Sequence, residues 1–275
     1  MQKPKALLIR IDRLGDLILT LPADQQAALK SYECHWFISK GLGFVADNTV
    51  PKRIFTEWSK SFSISQFVSF LRAVKKIKPE LSISFHSPWW VHLALCLARV
   101  PQRIGVLSKW HSFLFLNKGI RQKRSQCEFH EMEYNHLLVH QGLKDKNKVN
   151  FSHLRLISKD TKNLLLPQKY VVIHPGMAGS ALNWPVNYYK ELIESLCQKT
   201  QVLITGTQTD QHMIAPLKAQ LPPLSNVVWM NEKLNGEELV YVLSKAQAIF
   251  APSTGVIHIA ASLGVPTFGI YSPVT

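Results

Sequence analysis

Small and hydroxyl-bearing residues follow an apolar run near the end of the chain. The segment 249–266 reads IFAPSTGVIHIAASLGVP, with Ser253, Thr254 and Gly255 between a strand-like run and a helical phase that contains His258. Hydroxyl groups, a glycine that lets backbone approach a ligand, and unpaired N–H groups at a helix start suit phosphate binding. The alternative is that Ser253 or Thr254 only caps the helix. The loop alone leaves both readings open.

A second candidate for chemistry is Asp16, which follows Gly15 at the turn after the first apolar run. Aspartate is a favoured helix N-cap, and that role alone would explain it. Held at a substrate, the same carboxylate could act as a general base and take the proton from an attacking hydroxyl. The two roles are compatible if one carboxylate oxygen is left for the substrate.

A third loop, HPGMAGSALNWP at 174–185, lies between a strand-like run and a helix. Its residues Gly176, Gly179 and Ser180 could wrap a diphosphate with backbone N–H groups and one hydroxyl. Asp210 follows the next strand-like run and is a candidate acceptor for ribose hydroxyls. A helix-capping role explains Asp210 equally well.

Two other kinds of site are disfavoured. No G-x-G-x-x-G follows any strand-like run, which argues against a nicotinamide dehydrogenase. His136 and His140 are one helical turn apart, a spacing that suits metal ligands, and Cys127 is nearby. No further ligand pair stands at metal-binding spacing, and Glu131 and Glu133 make this helix look like a charged surface. We therefore predict no metal and no bound cofactor.

The charge of the chain is concentrated in its first half. Of the formal net charge of +14, residues 1–150 carry 23 Lys and Arg against 11 Asp and Glu, while residues 151–275 carry 9 against 7. A basic face attracts nucleic acid, an anionic lipid surface or a phosphorylated substrate. No helix-turn-helix, RNA-binding or zinc pattern is present, so nucleic acid is not expected as a partner.

Basic and aromatic residues alternate at 109–124, from Lys109 and Trp110 to Arg124. We interpret this stretch as a loop with a short helical turn. It could meet an anionic surface, or it could be a solvated loop over a hydrophobic anchor.

The composition indicates a globular protein without a membrane span. The chain has 275 residues, 46% of them apolar, and a mean hydropathy near zero, which allows one large or two ordinary domains. The four cysteines are far apart, so free thiols are expected. Charged residues interrupt the first apolar stretch, so it is no signal peptide, and no apolar run reaches about 18 residues. We expect a cytoplasmic location.

The order of apolar runs predicts two doubly wound α/β domains that face a cleft. A helix is expected to reach about Lys30 after the first strand. Pro22 lies within its first turns, so the alternative is a helix that begins only there, after an irregular apolar lead-in. The polar stretch 144–169 separates two series of alternating strands and helices, which gives domains at 1–155 and 156–275. The predicted strands are 6–11, 35–40, 81–86, 102–106, 170–175, 201–206, 226–230, a run ending at Ala251, and 267–271.

With these loops in place, the sequence resembles the ADP-heptose:lipopolysaccharide heptosyltransferases, the family 9 glycosyltransferases of GT-B architecture. Four blocks spread over the chain carry the resemblance: LLIRIDRLGDLILTLPA at 7–23, HEMEYNHLLVHQGL at 130–143, VVIHPGMAGSALNWP at 171–185 and APSTGVIHIAASLGVP at 251–266. The second block looks like the ordinary helix that precedes the linker in this family.

The resemblance implies a first domain for the acceptor and a second for a nucleotide-sugar donor. It implies metal-independent, inverting transfer of heptose from ADP-heptose to the lipopolysaccharide inner core, a phosphorylated glycolipid at the anionic inner-membrane surface. We expect a monomer that associates peripherally with the cytoplasmic face of that membrane. Asp16 would be the base. Donor-binding residues would be Gly176, Ser180, Asn183, Asp210, Ser253, Thr254, Gly255 and His258. Acceptor-binding residues would be Arg13, Gly15, His86 and Ser87.

Three features depart from the family pattern. Leu182 stands where members commonly have Lys, and Ser253 stands where many have Asp. The sequence also stops soon after the last predicted strand, where members usually continue into a further helix, and this is expected to affect closure on the donor. These departures motivate an alternative, a degenerate member that binds nucleotide or anionic glycolipid without transfer.

Overall fold

The computed structural model describes residues 3–161, 164–177 and 183–271. The chain forms two compact units, Met1–Leu154 and Arg155–Thr275, and this division lies one residue from the expected boundary. A parallel β-sheet with helices forms the centre of each unit. The α/β class predicted from the alternating runs is therefore confirmed.

The first unit contains a six-stranded sheet in the order β4-β2-β1-β5-β6-β7, and all neighbouring strands are parallel. Its strands are β1 (Lys5–Arg10), β2 (Glu33–Ser39), β3 (Thr49–Val50, outside this sheet), β4 (Ile54–Trp58), β5 (Leu81–His86), β6 (Gln102–Val106) and β7 (Lys118–Ile120). The middle strands read as continuous apolar runs because both faces of a parallel sheet are covered.

The helices of the first unit are α1 (Leu14–Ile18), α2 (Gly43–Asp47), α3 (Ile64–Ile77), α4 (Trp89–Leu97), α5 (Trp110–Phe115) and α6 (Glu131–Gly142). The expected continuous helix up to Lys30 is wrong. After α1 the chain turns through two 3-10 segments, Leu21–Gln25 and Ala27–Leu29, because Pro22 cannot donate a hydrogen bond inside an α-helix.

Aromatic rings fill one side of the first sheet. Phe70 on α3 is fully buried, and its ring centroid lies 5.0 Å from Phe37, 4.9 Å from Trp58 and 5.1 Å from Trp90, all in edge-on geometry. Such pairs add stability beyond the burial of their area. This cluster fixes α3 and α4 against the sheet.

The second unit contains a five-stranded parallel sheet in the order β11-β10-β9-β12-β13. Its strands are β8 (Arg155–Leu156, outside this sheet), β9 (Tyr170–Ile173), β10 (Gln201–Ile204), β11 (Val227–Trp229), β12 (Ile249–Pro252) and β13 (Thr267–Ile270). Its helices are α7 (Val186–Leu196), α8 (Gln211–Gln220), α9 (Gly236–Lys245) and α10 (Gly255–Ser262). Along the described ranges, no helix combines the length and apolar character needed to cross a membrane.

Each sheet has one point where the strand order reverses. In the first unit the chain builds outward from β1 to β2 and β4, then returns to place β5 on the other side of β1. In the second it builds from β9 to β11, then returns to place β12 beside β9. Ligands of doubly wound sheets bind outside the carboxyl ends of the strands at such points. The loops after β1, β5, β9 and β12 are therefore where binding is expected.

We predict that Phe70→Ala lowers the free energy of unfolding by about 3–5 kcal/mol, because it removes a buried ring and leaves a cavity. Phe62→Ala is the control, since that ring is half exposed, and we expect a loss of about 1 kcal/mol or less. Urea denaturation followed by tryptophan fluorescence measures both. Equal losses would show that the aromatic cluster does not hold α3.

Candidate functional site

A buried arginine organises the loop after β1. Arg10 is the last residue of β1, and only 4% of its side chain is exposed. Its Nε donates to Asp12 Oδ1 at 2.8 Å, its Nη1 donates to Glu131 Oε1 at 3.2 Å, and its Nη2 lies 3.1 Å from Asp16 Oδ1. Two carboxylates from the segment after β1 and one from α6 therefore share one guanidinium.

This arrangement shifts the pKa values of its members. Burial raises the pKa of Asp12 to about 6, although the Arg10 charge and hydrogen bond oppose the rise. Burial lowers the pKa of Arg10, but the Asp12, Asp16 and Glu131 carboxylates outweigh it, so the pKa is raised overall. Arg10 therefore remains a cation in the folded protein, and Asp12 accepts a proton in mildly acidic solution.

Asp16 is not the N-cap of α1. The N-cap is Arg13, which is exposed and makes no side-chain capping hydrogen bond, while Gly15 and Asp16 lie inside the helix. The Asp16 side chain is about one-third exposed (34%), and one of its oxygens faces Arg10. Its Oδ2 has no hydrogen-bond partner among the described residues. A carboxylate with one oxygen held and the other available is suited to accept a proton.

Helix α6, which Glu131 and Glu133 make look like a charged surface in the sequence, supports this loop. Glu131 and Asn135 lie one turn apart and face the Arg10 loop. Asn135 is fully buried and donates to Thr20 Oγ1 at 3.0 Å, while Thr20 donates to the Asp16 carbonyl oxygen at 2.6 Å. Arg124 Nη1 lies 2.6 Å from Glu131 Oε1. In the sequence, the four-residue spacing of Glu131 and Asn135 indicates that both side chains lie on one face of the helix.

The predicted acceptor residues His86 and Ser87 line a cavity of about 280 Å³ in the first unit. Ser84 Oγ, Ser87 Oγ and His92 Nε2 are buried there without a hydrogen-bond partner among the described residues. Lys109 and Arg124 also line the cavity. Unpaired buried polar atoms favour a polar occupant, and the two cations favour an anionic one.

His86 is electrically coupled to the Arg10 loop. Its pKa is lowered, first by burial and then by the charges of Arg10 and Lys109, while the Asp16 carboxylate acts in the opposite direction. His86 is thus neutral near pH 7, and it can exchange hydrogen bonds with hydroxyl groups. Strands β1 and β5 are neighbours, so His86 and Ser87 lie at the same edge of the first sheet as the loop that contains Arg13, Gly15 and Asp16.

In the second unit, the loop after β12 leads directly into α10. Thr254 is the N-cap, with extended backbone angles, and its side chain makes no capping hydrogen bond. The interpretation that Thr254 serves only as a side-chain cap is therefore wrong. Gly255 begins the helix, whereas Ser253 and His258 each have an interaction partner.

The neighbouring loop after β9 packs against the buried side chain of Asp210. Asp210 is buried and its Oδ2 accepts from the Thr207 N–H at 2.8 Å and from the Thr207 hydroxyl at 2.7 Å. Gly176 packs against this carboxylate so closely that a Cβ at residue 176 would overlap it. Asp210 therefore caps a 3-10 turn, and its contact with a ribose stays a prediction. Burial lowers the pKa of nearby His174 to about 4, so that ring is neutral.

Asn183 closes the far end of the same loop. Its Nδ2 donates to the Pro175 carbonyl at 2.6 Å, and its Oδ1 accepts from the Trp184 N–H at 2.8 Å and from the Tyr189 hydroxyl at 3.1 Å. These bonds hold the two ends of the loop together. Ser180, Gly179 and Leu182 lie outside the described residues.

The histidines of α6 are engaged in structural contacts. His136 Nδ1 lies 2.6 Å from Gln26 Nε2, and its Nε2 lies 3.1 Å from the Ser152 carbonyl oxygen. His140 Nε2 lies 2.7 Å from the Asn147 carbonyl oxygen. Within the described part of the chain, no three His, Cys, Asp or Glu side chains cluster as metal ligands would.

The chain matches one protein family over most of its length. Residues 88–275 match the model of glycosyltransferase family 9 (heptosyltransferase). The chain belongs to this family. Membership of family 9 makes the chain a glycosyltransferase.

Similar proteins agree with this family 9 membership. Lipopolysaccharide heptosyltransferase 1 of Pseudomonas aeruginosa is 23% identical over 98% of this chain and 79% of its own length. The E. coli ADP-heptose lps heptosyltransferase II structure superposes with a TM-score of 0.83, at 16% identity, over 98% of this chain and 86% of that one. The structure of a family 9 glycosyl transferase from Veillonella parvula superposes with a TM-score of 0.81, at 17% identity, over 99% of this chain and 81% of that one.

We predict that Asp12 makes this family 9 glycosyltransferase less stable as the pH rises. With a folded pKa of about 6 against an ordinary 3.8, protonation favours the folded state, so its contribution is complete below pH 3.8 and is lost as the pH rises past 6. The unfolding free energy of the native protein should fall by about 3 kcal/mol relative to Asp12→Asn across that window.

Asp145→Asn is the matched control for this pH dependence. Hydrogen bonding from the Asn147 N–H lowers the pKa of the exposed Asp145, so any pH-dependent difference should have the opposite sign. Chemical denaturation at a series of pH values gives both curves. A difference between native protein and Asp12→Asn that stays flat from pH 4 to about 6.5 would contradict the assignment.

Proposed function

We propose that the chain is a metal-independent, inverting glycosyltransferase that transfers heptose from ADP-heptose to a sugar hydroxyl of the lipopolysaccharide inner core. It acts as a monomer at the cytoplasmic face of the anionic membrane that carries this phosphorylated glycolipid. Family 9 membership and the E. coli ADP-heptose enzyme of similar fold support the proposal. The observation that carries it is Asp16, with one oxygen held at Arg10 and the other available.

Asp16 is the general base of the proposed reaction. Its Oδ2 takes the proton of the acceptor hydroxyl. At the same time the hydroxyl oxygen of the acceptor forms a bond to the anomeric carbon of the donor. The bond from this carbon to the diphosphate oxygen breaks, and ADP leaves with the bonding electrons. Attack from the side opposite the leaving group inverts the configuration. Arg10 keeps the base oriented through its contact with Asp16 Oδ1.

The second unit binds the donor in this proposal. The start of α10, with Thr254 and Gly255, offers backbone N–H groups and a hydroxyl to the diphosphate, where negative charge grows as ADP leaves. Strands β9 and β12 are neighbours, so the Gly176 loop ends at the same sheet edge. Ser180, Ser253 and His258 complete the donor set, while Asn183 and Asp210 hold that loop in shape.

The first unit binds the acceptor. The cavity beside His86 and Ser87, at about 280 Å³, has room for a sugar residue, and its neutral polar atoms match sugar hydroxyls. Lys109 and Arg124 suit a phosphate or other acidic group on the same molecule. Arg13 and Gly15 contribute from the base loop.

We predict that Asp16→Ala lowers kcat of heptosyl transfer by about 10²–10⁴-fold while the affinity for ADP is nearly unchanged. Asp16→Asn should lose a similar factor, because it retains the shape but not the basicity. Asp47→Ala, at the exposed end of α2, is the control and should keep native activity. Initial rates and ADP calorimetry give the two quantities.

Two outcomes would contradict the proposal in different ways. Native rates in Asp16→Ala would remove Asp16 as the base. ADP binding by the native chain without turnover of any ADP-sugar on any core acceptor would instead favour the non-catalytic alternative.

A further inference from the structure

Helix α5 has its polar side buried and its apolar side exposed. Trp110, Phe113 and Leu114 stand at positions i, i+3 and i+4, the spacing of one helix face, and are 66%, 53% and 66% exposed. On the other side, His111 and Ser112 are buried, and His111 Nδ1 lies 2.9 Å from His92 Nδ1. We call the three exposed side chains the α5 face. Three adjacent large apolar side chains in water mark an interaction surface.

Positive charge surrounds the α5 face. No Asp or Glu occurs from residue 81 to residue 127, a stretch that contains seven Lys and Arg. Lys109 directly precedes α5, and the Arg121 guanidinium lies 5.4 Å from the centre of the Phe113 ring. The partner of this surface must therefore tolerate apolar insertion and supply negative charge.

We propose that the α5 face is an interfacial anchor that inserts into an anionic lipid surface. Tryptophan and phenylalanine are suited to the boundary between headgroups and acyl chains, and flanking Lys and Arg bind anionic headgroups. A short helix with apolar side chains on one face can lie in that plane without spanning the bilayer.

A second copy of the chain fits the surface less well. A symmetric dimer through the α5 face would bring Lys109 and Arg121 of one copy close to the same cations of the other. Like charges at such distances repel, whereas anionic lipid attracts both residues. The charge pattern therefore favours lipid, and self-association becomes an outcome of the test.

The buried side of α5 explains what an anchor at this position achieves. Lys109, His111 and Ser112 line the cavity that we assign to the acceptor, so an inserted α5 face places that cavity beside the lipid surface. This purpose rests on the proposed function, because it requires a lipid-linked acceptor. The anchoring itself does not depend on transferase activity.

The apolar arm of the test compares two triple variants of the full chain. The first changes Trp110, Phe113 and Leu114 to Ser; the control changes Leu97, Ile157 and Leu165 to Ser, which are exposed apolar side chains elsewhere. Co-sedimentation uses phosphatidylcholine vesicles with and without phosphatidylglycerol. We expect the native chain and the control to bind anionic vesicles alike, and the α5 variant to bind roughly tenfold or more weakly.

The charge arm compares two double variants with the same change in net charge. Arg121→Gln with Lys123→Gln lies beside the α5 face, and Lys75→Gln with Lys76→Gln lies in the last turn of α3. We expect about fivefold weaker binding per cation removed near the lipid for the first pair, and a clearly smaller loss for the second.

Three results would overturn the anchor. The native chain could fail to bind anionic vesicles, the α5 variant could bind as tightly as the control, or light scattering could show a dimer that the α5 variant abolishes. Vesicle binding with no transferase activity would remove only the proposed function. Transferase activity without vesicle binding would remove only the anchor.

Discussion

The contact between one buried guanidinium and three carboxylates determines how the first unit is organised. Arg10 closes a central strand, Asp12 and Asp16 belong to the turn that follows, and Glu131 comes from a helix 121 residues later. A buried cation without partners is strongly destabilising, so these segments must come together when the unit folds. The same contact leaves one Asp16 oxygen available. Arg10 therefore both holds these segments together and orients the Asp16 carboxylate.

The loops of the second unit depend on hydrogen bonds instead. His174 is buried and uncharged, and one carboxylate oxygen of Asp210 accepts hydrogen bonds from Thr207 in a 3-10 turn. Asn183 connects the two ends of the loop through its hydrogen bonds. At the start of α10, Thr254 is the N-cap residue but does not cap the helix with its side chain. Each unit thus presents a preorganised loop at the reversal point of its sheet. The first loop is held by a guanidinium and carboxylates, and the second is held by hydrogen bonds.

Much of the fold could be predicted from sequence because buried parallel strands read as uninterrupted apolar runs. The predicted strands 81–86 and 102–106 match β5 and β6 residue for residue. The strands β4 and β7 were missed, since their exposed edges give mixed patterns. The helical character of α5 was only partly anticipated, because its apolar side faces outward and reverses the usual pattern.

The candidate site was accessible from sequence only where a loop follows a strand. Asp16, His86 and Thr254 could be found by that rule. Asp16 and His86 follow neighbouring strands of the first sheet, and Thr254 follows β12 of the second. Arg10 could not, because its importance lies in a partner distant along the chain, and the spacing of Glu131 and Asn135 indicates a shared helix face but not the loop that this face contacts. Gly176 was predicted for closeness to a ligand, yet the contact that excludes a side chain there is with Asp210.

The most direct test of this account is a carboxyl ¹³C NMR titration of Asp12 in the native chain and in Arg10→Met. If Arg10 sets the charge of the loop, the Asp12 pKa rises from about 6 by one unit or more when the guanidinium is removed. Arg10→Lys, which keeps the charge, should shift it less. An Asp12 pKa that is the same in all three proteins would contradict the central place given to Arg10.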